Sequence, residues 1–335
     1  MARMSKDVPR IRLGSIVEAL DMIPHLLGFQ PEESLVVLVV EGGQVQVTAR
    51  VDLSAVRQPF VLDDLLGRLW QRFPAADAHL VAFTANRELG WRLLGDCDLR
   101  LSEPTSRSLT LVDGDTWQGD GPDGPSGRLS GRGSRVAAEA VYHGLVARAS
   151  REELAATLDG PVDAAADPVL VAFERQEAAV AGTRRTRWPA LMGGAIRDFR
   201  PDRGIDDDEA ARLAIMLRDP DARDVAVLAI TREDSEHHRA LWTAVVRRCP
   251  PGWQGHPLGV LGMACWAGGD GAMLTICLER AELLVPESGL VSILGDLLQA
   301  VVPPSAWDGL RQDLLRSAAP RVRRAACPPP SQPRT

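Results

Sequence analysis

The chain has 335 residues, of which 45% are hydrophobic and 25% are charged, a balance typical of globular proteins. At roughly 150 residues per domain, this length predicts one large domain or two ordinary ones. The apolar runs are much shorter than the roughly 20 residues that span a bilayer, and the first ten residues contain no apolar signal region. We therefore expect a cytoplasmic protein with no membrane partner, and a collagen, a coiled coil and a disulfide scaffold are excluded.

Charge and cysteine usage exclude further classes. Lysine and arginine total 38 and aspartate and glutamate total 45, so the net charge is −7. Non-specific nucleic-acid binding relies on cations that release counterions from phosphates, so we do not expect nucleic acid as the main partner. The five cysteines contain no CxxC pair, which argues against a zinc ribbon or a thioredoxin-like site. No metal and no cofactor is predicted.

The N-terminal part indicates an α/β domain over 15–117. After a predicted leader at 1–14, Ser15 and Glu18 form a capping-box pattern that begins a helix. Two β-branched runs separated by Gly42-Gly43 predict a hairpin. Alternation of strands and helices then favours a mixed sheet with packed helices. The predicted strands are 34–41, 44–53, 78–84 and 108–112, and the helices after the first are 61–73 and 86–95.

The second part is predicted to be mostly helical. Residues 118–134 are dominated by Gly, Pro, Ser and Asp, a composition typical of a linker. A helical domain is predicted over 135–318, and a disordered, Pro-rich tail over 319–335. The predicted helices are 135–148, 151–158, 166–182, 207–218, 221–231, 235–248, 257–267, 271–284, 288–301 and 304–317.

Residues 256–286 match one tetratricopeptide repeat in part, which predicts a TPR-like C-terminal domain. Small residues at the matching offsets would let two helices approach closely, and a proline would end the second helix. The alternative is an ordinary antiparallel helical bundle. The residues expected to pack the repeat are Leu261, Gly262, Gly269, Ala281 and Pro286.

A set of polar residues around the predicted hairpin is a candidate ligand or partner site. It lies on the loop before the first strand and on the polar side of the second strand, where Arg50 and Asp52 share a face. The alternative is a solvated face or a structural ion pair. The candidate binding residues are His25, Glu32, Glu33, Arg50 and Asp52.

Three other groups do not predict chemistry. Adjacent His237 and His238 point to different sides of a helix, whereas metal ligands on one helix are three or four residues apart. The acidic run 206–209 lies where a helix begins, and carboxylates there stabilise the helix dipole. A Ser34, His25 and Asp52 set lacks the GxSxG turn of a hydrolase nucleophile. We therefore predict no catalytic residue.

Several stretches resemble one family. They are PHLLGFQPEESLVVLVV at 24–40, ARVDL at 49–53, SRVAAEAVYHGLVARASREEL at 134–154, ALWTAVVRRCPPG at 240–252, and the long segment 257–298. Together they are similar to the actinobacterial family DUF4192, a domain of unknown function. The resemblance implies an actinobacterial, cytoplasmic protein with an α/β part followed by helices, and it implies no activity. Residues 118–133 lack the cysteines that many members carry in this segment, so no metal or redox role is implied there.

Two hypotheses of function follow. The first is a non-enzymatic interaction or regulatory module whose partner is another protein, because no catalytic set is visible and repeat units offer concave binding surfaces. The second is an enzyme or small-molecule sensor with a pocket where the α/β part meets the helices, since pockets favour such junctions. The oligomeric state is not predicted.

Overall fold

A computed structural model describes residues 15–56, 58–101, 106–161 and 167–327. The predicted leader at 1–14 lies outside the described residues, as do residues 328–335 of the predicted tail. The chain divides into two compact units. The first, called the sheet unit, runs to Leu154 and also contains Gln299–Val301, and the second, called the helical unit, contains the remaining residues from Ala155 onward.

The sheet unit contains six strands and five complete helices in the described ranges. The strands are β1 (Ser34–Glu41), β2 (Gln44–Asp52), β3 (Asp77–Phe83), β4 (Arg107–Asp113), β5 (Thr116–Gly119) and β6 (Ser126–Arg128). The helices are α1 (Ile16–Leu27), α2 (Leu53–Val56), α3 (Pro59–Arg72), α4 (Arg87–Arg100) and α5 (Arg135–Tyr142). The short helix α6 (Arg151–Ala156) crosses the boundary to the helical unit.

The strands form one mixed sheet in the order β2-β1-β3-β4-β5-β6. The β1–β2 hairpin closes at Gly42 and Gly43, whose φ values of 60° and 74° suit a two-residue turn with both central residues in the left-handed region. Among the six strands of the described residues, only β3 and β4 are parallel neighbours, and α4 connects them as a crossover helix. The mixed sheet predicted from the sequence is confirmed.

Both faces of β1 are covered, which explains its uninterrupted apolar run. Leu35, Val37 and Val39 join one core with residues of α3 and α4. Val36 and Leu38 alternate with them and therefore point to the opposite face, where they are also buried. A strand with two buried faces reads as a continuous run of β-branched residues instead of an alternating one.

The prediction of a linker at 118–134 is wrong for much of this stretch. β5 continues the sheet beyond β4, and β6 pairs with β5 through Trp117 and Gly127. The amide of Gly131 donates a hydrogen bond to the buried Asp21 carboxylate at 3.0 Å. The glycines serve close backbone approach here, since a Cβ at Gly124 would lie 1.8 Å from the Gly119 carbonyl oxygen.

We expect Gly124→Ala to lower the free energy of unfolding of the sheet unit by about 2 kcal/mol, because the added methyl group must displace backbone. Gly67→Ala is the matched control: no atom lies within 4 Å of its added Cβ, and alanine in a helix is favoured by about 0.5–1 kcal/mol. Urea unfolding followed by circular dichroism measures both. Equal midpoints for Gly124→Ala and the wild type would contradict the tight turn.

The helical unit is built from ten helices within the described residues. They are α7 (Asp167–Ala181), α8 (Trp188–Asp198), α9 (Asp207–Met216), α10 (Pro220–Leu228), α11 (Ser235–Val246), α12 (Gly255–Ala267), α13 (Gly271–Leu284), α14 (Gly289–Gln299), α15 (Trp307–Ser317) and α16 (Pro320–Ala326). The contacts between neighbours are densest for the pairs α7–α9, α12–α13 and α11–α12. A mostly helical second part is therefore confirmed.

Two predicted boundaries differ from the structure. The tail predicted over 319–335 contains α16, which contacts α8 and α10 and buries Val322. Gly193 of α8 permits this contact, because a Cβ there would lie 2.5 Å from the Ala325 carbonyl oxygen. The helical domain predicted from residue 135 begins at 155 instead, since α5 contacts α1 in the sheet unit. Within the described ranges, every helix lacks the combination of length and apolarity needed to cross a bilayer.

Candidate functional site

The predicted polar cluster lies at the end of the sheet where β1 begins and β2 ends. Ser34 pairs with Asp52 on one side and with Phe83, the last residue of β3, on the other. The antiparallel register therefore brings the loop before β1 next to the carboxyl end of β3. In open α/β sheets, ligands bind outside the carboxyl ends of parallel strands, and the cluster lies at the carboxyl end of β3.

Arg50 is the centre of this cluster. Its Nε donates to Ser34 Oγ at 2.8 Å, and its Nη2 pairs with Asp52 Oδ1 at 2.6 Å. The guanidinium also lies 5.6 Å from the centre of the Phe29 ring, a cation–π distance. The side chain is only 15% exposed. Because two of its nitrogens and its flat face contact the protein, Arg50 holds the ends of β1 and β2 together.

The two glutamates fix the loop through different groups. Glu33 has a φ of 40°, its carbonyl accepts from the Leu53 amide at 2.9 Å, and its Oε1 accepts from the Thr84 hydroxyl at 2.8 Å. The Glu32 carbonyl accepts from Ser34 Oγ at 2.5 Å, whereas its side chain is exposed. The loop is thus tied to the ends of both β2 and β3.

His25 does not join the other four. Its Nδ1–H donates to the Leu145 carbonyl oxygen at 2.7 Å, and no hydrogen bond among the described residues connects it to Ser34 or Asp52. Ser34, His25 and Asp52 are therefore not joined as a hydrogen-bonded set among the described residues. The polar groups named above already have partners inside the sheet unit. Ligand binding by the remaining four residues stays a prediction.

The predicted repeat unit forms a helix pair. Leu261 and Gly262 lie on α12, Gly269 occupies the turn with a φ of 79°, and Ala281 is fully buried on α13. Pro286 follows the end of α13. A Cβ at Gly262 would lie 3.5 Å from Cys277 Cβ and 3.1 Å from Leu294 Cδ1, so α12 approaches α13 and α14 closely. Membership in a longer repeat array stays a prediction.

An open groove of about 380 Å³ runs along α11 beside this pair. Arg239, Ala240, Thr243, Ala244 and Arg247 belong to its wall, at the spacing of one helix face. This groove was not predicted from the sequence, because residues of three helices form it. The complete lining is Glu236, Arg239, Ala240, Thr243, Ala244, Arg247, Arg248, Leu261, Cys265 and Met273.

The charges of the groove are held in different ways. Arg239 pairs with Asp270 at 3.0 Å, and Arg248 pairs with Asp207 at 3.5 Å. Arg247 is exposed and forms no ion pair within the described part of the chain. Burial raises the pKa of the Cys265 thiol, and contact with Cys277 raises it further. Since the thiolate is the reactive form, Cys265 supplies an apolar wall and no nucleophile.

A second groove of about 520 Å³ lies against α7, α8 and α9. Trp188 lines it, with the Arg185 guanidinium 5.6 Å from the ring centre. Its volume lies in the range of small-molecule sites. However, its polar groups serve the fold: Asp219 caps α10 by accepting from the Ala222 amide at 3.1 Å, and Trp188 Nε1 donates to the Thr183 carbonyl at 3.3 Å.

The two adjacent histidines differ in burial and in hydrogen bonding, although their rings meet edge to face with centres 5.7 Å apart. His237 Nε2 bonds to the Ile196 carbonyl oxygen at 3.0 Å. His238 is buried, and desolvation, with a smaller contribution from His237, lowers its pKa to about 4. The acidic run at 206–209 begins α9, where Asp206 accepts from the Glu209 amide at 2.8 Å. Across the described ranges, no three His, Cys, Asp or Glu side chains are grouped as a metal site.

Comparison with known proteins gives one result. No curated protein and no solved structure is similar enough to the chain to match it. The family model described as "Domain of unknown function (DUF4192)" matches residues 17–305, which include the whole sheet and the groove along α11. The chain therefore belongs to the DUF4192 family.

Proposed function

We propose that the protein is a non-enzymatic interaction module whose helical unit binds an acidic peptide segment of a partner protein in the groove along α11. The observation that carries the proposal is the combination of a small-residue floor with arginines at one helix face. An acidic segment fits these arginines through charge-assisted hydrogen bonds.

The shape of α11 supports peptide docking. Its buried side contains Leu241, Trp242 and Val245, so the helix is held firmly from behind. Its groove side presents Ala240 and Ala244 between Arg239 and Arg247, so a peptide backbone can approach the middle while its ends meet charge. About eight residues separate the two arginines, which corresponds to roughly 12 Å at 1.5 Å per residue.

The opposite wall supports an apolar contact. Met273 of α13 is partly exposed there, whereas Leu261 and Cys265 of α12 lie behind it and are fully buried. Methionine is unbranched and adapts to irregular partners. The groove thus offers the adaptable side chain of Met273 beside cations, and an acidic segment with one apolar side chain complements both features.

The charge of the groove differs from that of the chain. The lining contains Arg239, Arg247 and Arg248 and one acid, Glu236, whereas the whole chain has a net charge of −7; Arg239 and Arg248 are paired with Asp270 and Asp207, which lie outside the lining. Arg247 has no ion-pair partner among the described residues, so an incoming carboxylate does not have to displace one there. Rim charges of this kind set the association rate and its salt dependence.

The test is a selection of short peptides on the purified chain, followed by fluorescence polarisation of a selected peptide. We expect enrichment of Asp and Glu, and about tenfold weaker binding to Arg247→Glu, because a hydrogen bond to a charged group contributes about 1.5–3 kcal/mol. Ala244→Trp should block binding by filling the groove.

Arg316→Glu is the matched control. Arg316 is an exposed arginine of α15 that pairs with Asp313, and it lies outside the lining of the groove. Its reversal should leave the affinity unchanged. Selected peptides without acidic residues, or equal binding to Arg247→Glu and the wild type, would remove the proposal.

A further inference from the structure

β2, the outermost strand at one side of the sheet, has one unpaired edge. β2 pairs with β1 and, among the described residues, with no other strand. At about 3.3 Å per residue, its nine residues present an edge roughly 30 Å long. Such an edge carries free backbone donors and acceptors that can pair with another strand. This feature is independent of the groove in the helical unit.

β2 lacks most of the features that protect an edge. It contains no lysine and no proline, which are the residues that commonly block edge pairing. Its one cation, Arg50, is bound to Ser34 and Asp52 of its own sheet unit. The irregularity of the strand is confined to its beginning, because the register with β1 shifts between Val39 and Val40. From Val47 to Asp52 the pairing is regular.

The two faces of this regular stretch differ in polarity. Val47, Ala49 and Val51 point toward the core and pack against it, yet each is only partly buried. Thr48, Arg50 and Asp52 alternate with them on the opposite face. A partner strand that extends the sheet must therefore be apolar on the first face and polar on the second. β2 itself has this pattern.

We propose that two copies of the chain associate through antiparallel pairing of their β2 strands, centred on Ala49, which joins the two sheets into one. A two-fold axis perpendicular to the joined sheet leaves the apolar faces of both copies on the same side. Because directly opposed residues point to the same face, the axis must then pass between the two copies of one residue. Centring on Ala49 places Val47 opposite Val51 and uses only the regular stretch. It also places Arg50 opposite Thr48, whereas centring on Arg50 would oppose two like charges.

The register makes a sharp prediction for disulfide trapping. In an Ala49→Cys variant, the two new thiols are directly opposite each other, and antiparallel partners have Cα separations of about 4.5–5.5 Å, which a disulfide spans. We expect oxidation by a small-molecule disulfide to give a covalent dimer. Each new bond forms by thiol–disulfide exchange, and the reagent is released as its thiol.

Two choices make the result specific. The background carries Cys327→Ser, because Cys327 is the exposed cysteine of the described residues and the other four are buried. Val45→Cys is the matched control: Val45 is 38% exposed on the same strand but lies before the paired stretch, so it should not cross-link. Cross-linking of both variants at equal rates would indicate random collision and would overturn the register.

A second measurement does not depend on cysteine. Analytical ultracentrifugation of the full chain should give twice the mass of one chain at tens of micromolar. Thr48→Lys puts a cation opposite Arg50 of the second copy and should give monomers, whereas Thr48→Glu puts an anion there and should retain the dimer. Circular dichroism confirms that both variants fold. A wild type that sediments as a monomer, or a dimer unaffected by Thr48→Lys, overturns the proposal.

Discussion

Replacing Trp242 with alanine is expected to lower the free energy of unfolding of the helical unit by about 4 kcal/mol. Trp242 is fully buried on α11, on the side away from the groove. Truncating a large aromatic side chain removes its transfer free energy and leaves a cavity, which together cost about 3–5 kcal/mol. Urea unfolding monitored at 222 nm by circular dichroism measures the change.

Trp242→Phe separates packing from hydrogen bonding. The Nε1 atom of Trp242 is buried and has no hydrogen-bond partner among the described residues. Phenylalanine removes this unpaired donor while it retains most of the apolar volume, so we expect less than half of the loss seen with alanine. A loss below about 1 kcal/mol for Trp242→Ala, far from the range for buried aromatics, would mean that α11 is not held by this side chain.

The second large expected effect is a loss of stability in mild acid caused by His238. Desolvation is the main reason that its folded pKa is lowered to about 4, from 6.5. Between these two pKa values the unfolded state binds more protons, so protons favour unfolding. The contribution of His238 is complete above pH 6.5 and is lost as the pH falls toward 4. Between pH 7 and pH 5 the loss is about 2 kcal/mol.

His238→Gln tests this effect, because glutamine retains a donor and does not titrate. We expect the difference in unfolding free energy between pH 7 and pH 5 to be smaller in this variant than in the wild type by about 2 kcal/mol. Burial also lowers the pKa of His79 and of His256. Both remain in the variant, so they cancel in the comparison. Identical pH dependence in the two proteins would contradict the assignment to His238.

Local signals in the sequence predicted the elements whose ends depend on their own residues. Ser15 accepts from the Glu18 amide and Asn86 accepts from the Leu89 amide, as their cap positions indicated. Gly42 and Gly43 formed the expected turn. The start of α13 also matches its predicted boundary, because Asp270 caps this helix by accepting a hydrogen bond from the Met273 amide.

The errors arose where contacts distant in sequence decide the structure. The Gly-rich stretch after β5 resembles a linker by composition, yet its glycines permit the approach of Gly124 to Gly119. The tail resembles disordered chain, yet Val322 of α16 is buried in the helical unit. The groove was missed for a related reason: three helices enclose it, and their packing is not visible in the pattern of any one of them.

The position of Val301 has a consequence for synthesis on the ribosome. Val301 packs against the core of the sheet unit, although that unit otherwise ends at Leu154 apart from the short segment Gln299–Val301. The sheet unit therefore lacks one of its packing residues until the segment Gln299–Val301 has emerged from the exit tunnel. Domains commonly fold as the chain emerges, and here the nascent sheet unit must wait for a segment made about 150 residues later.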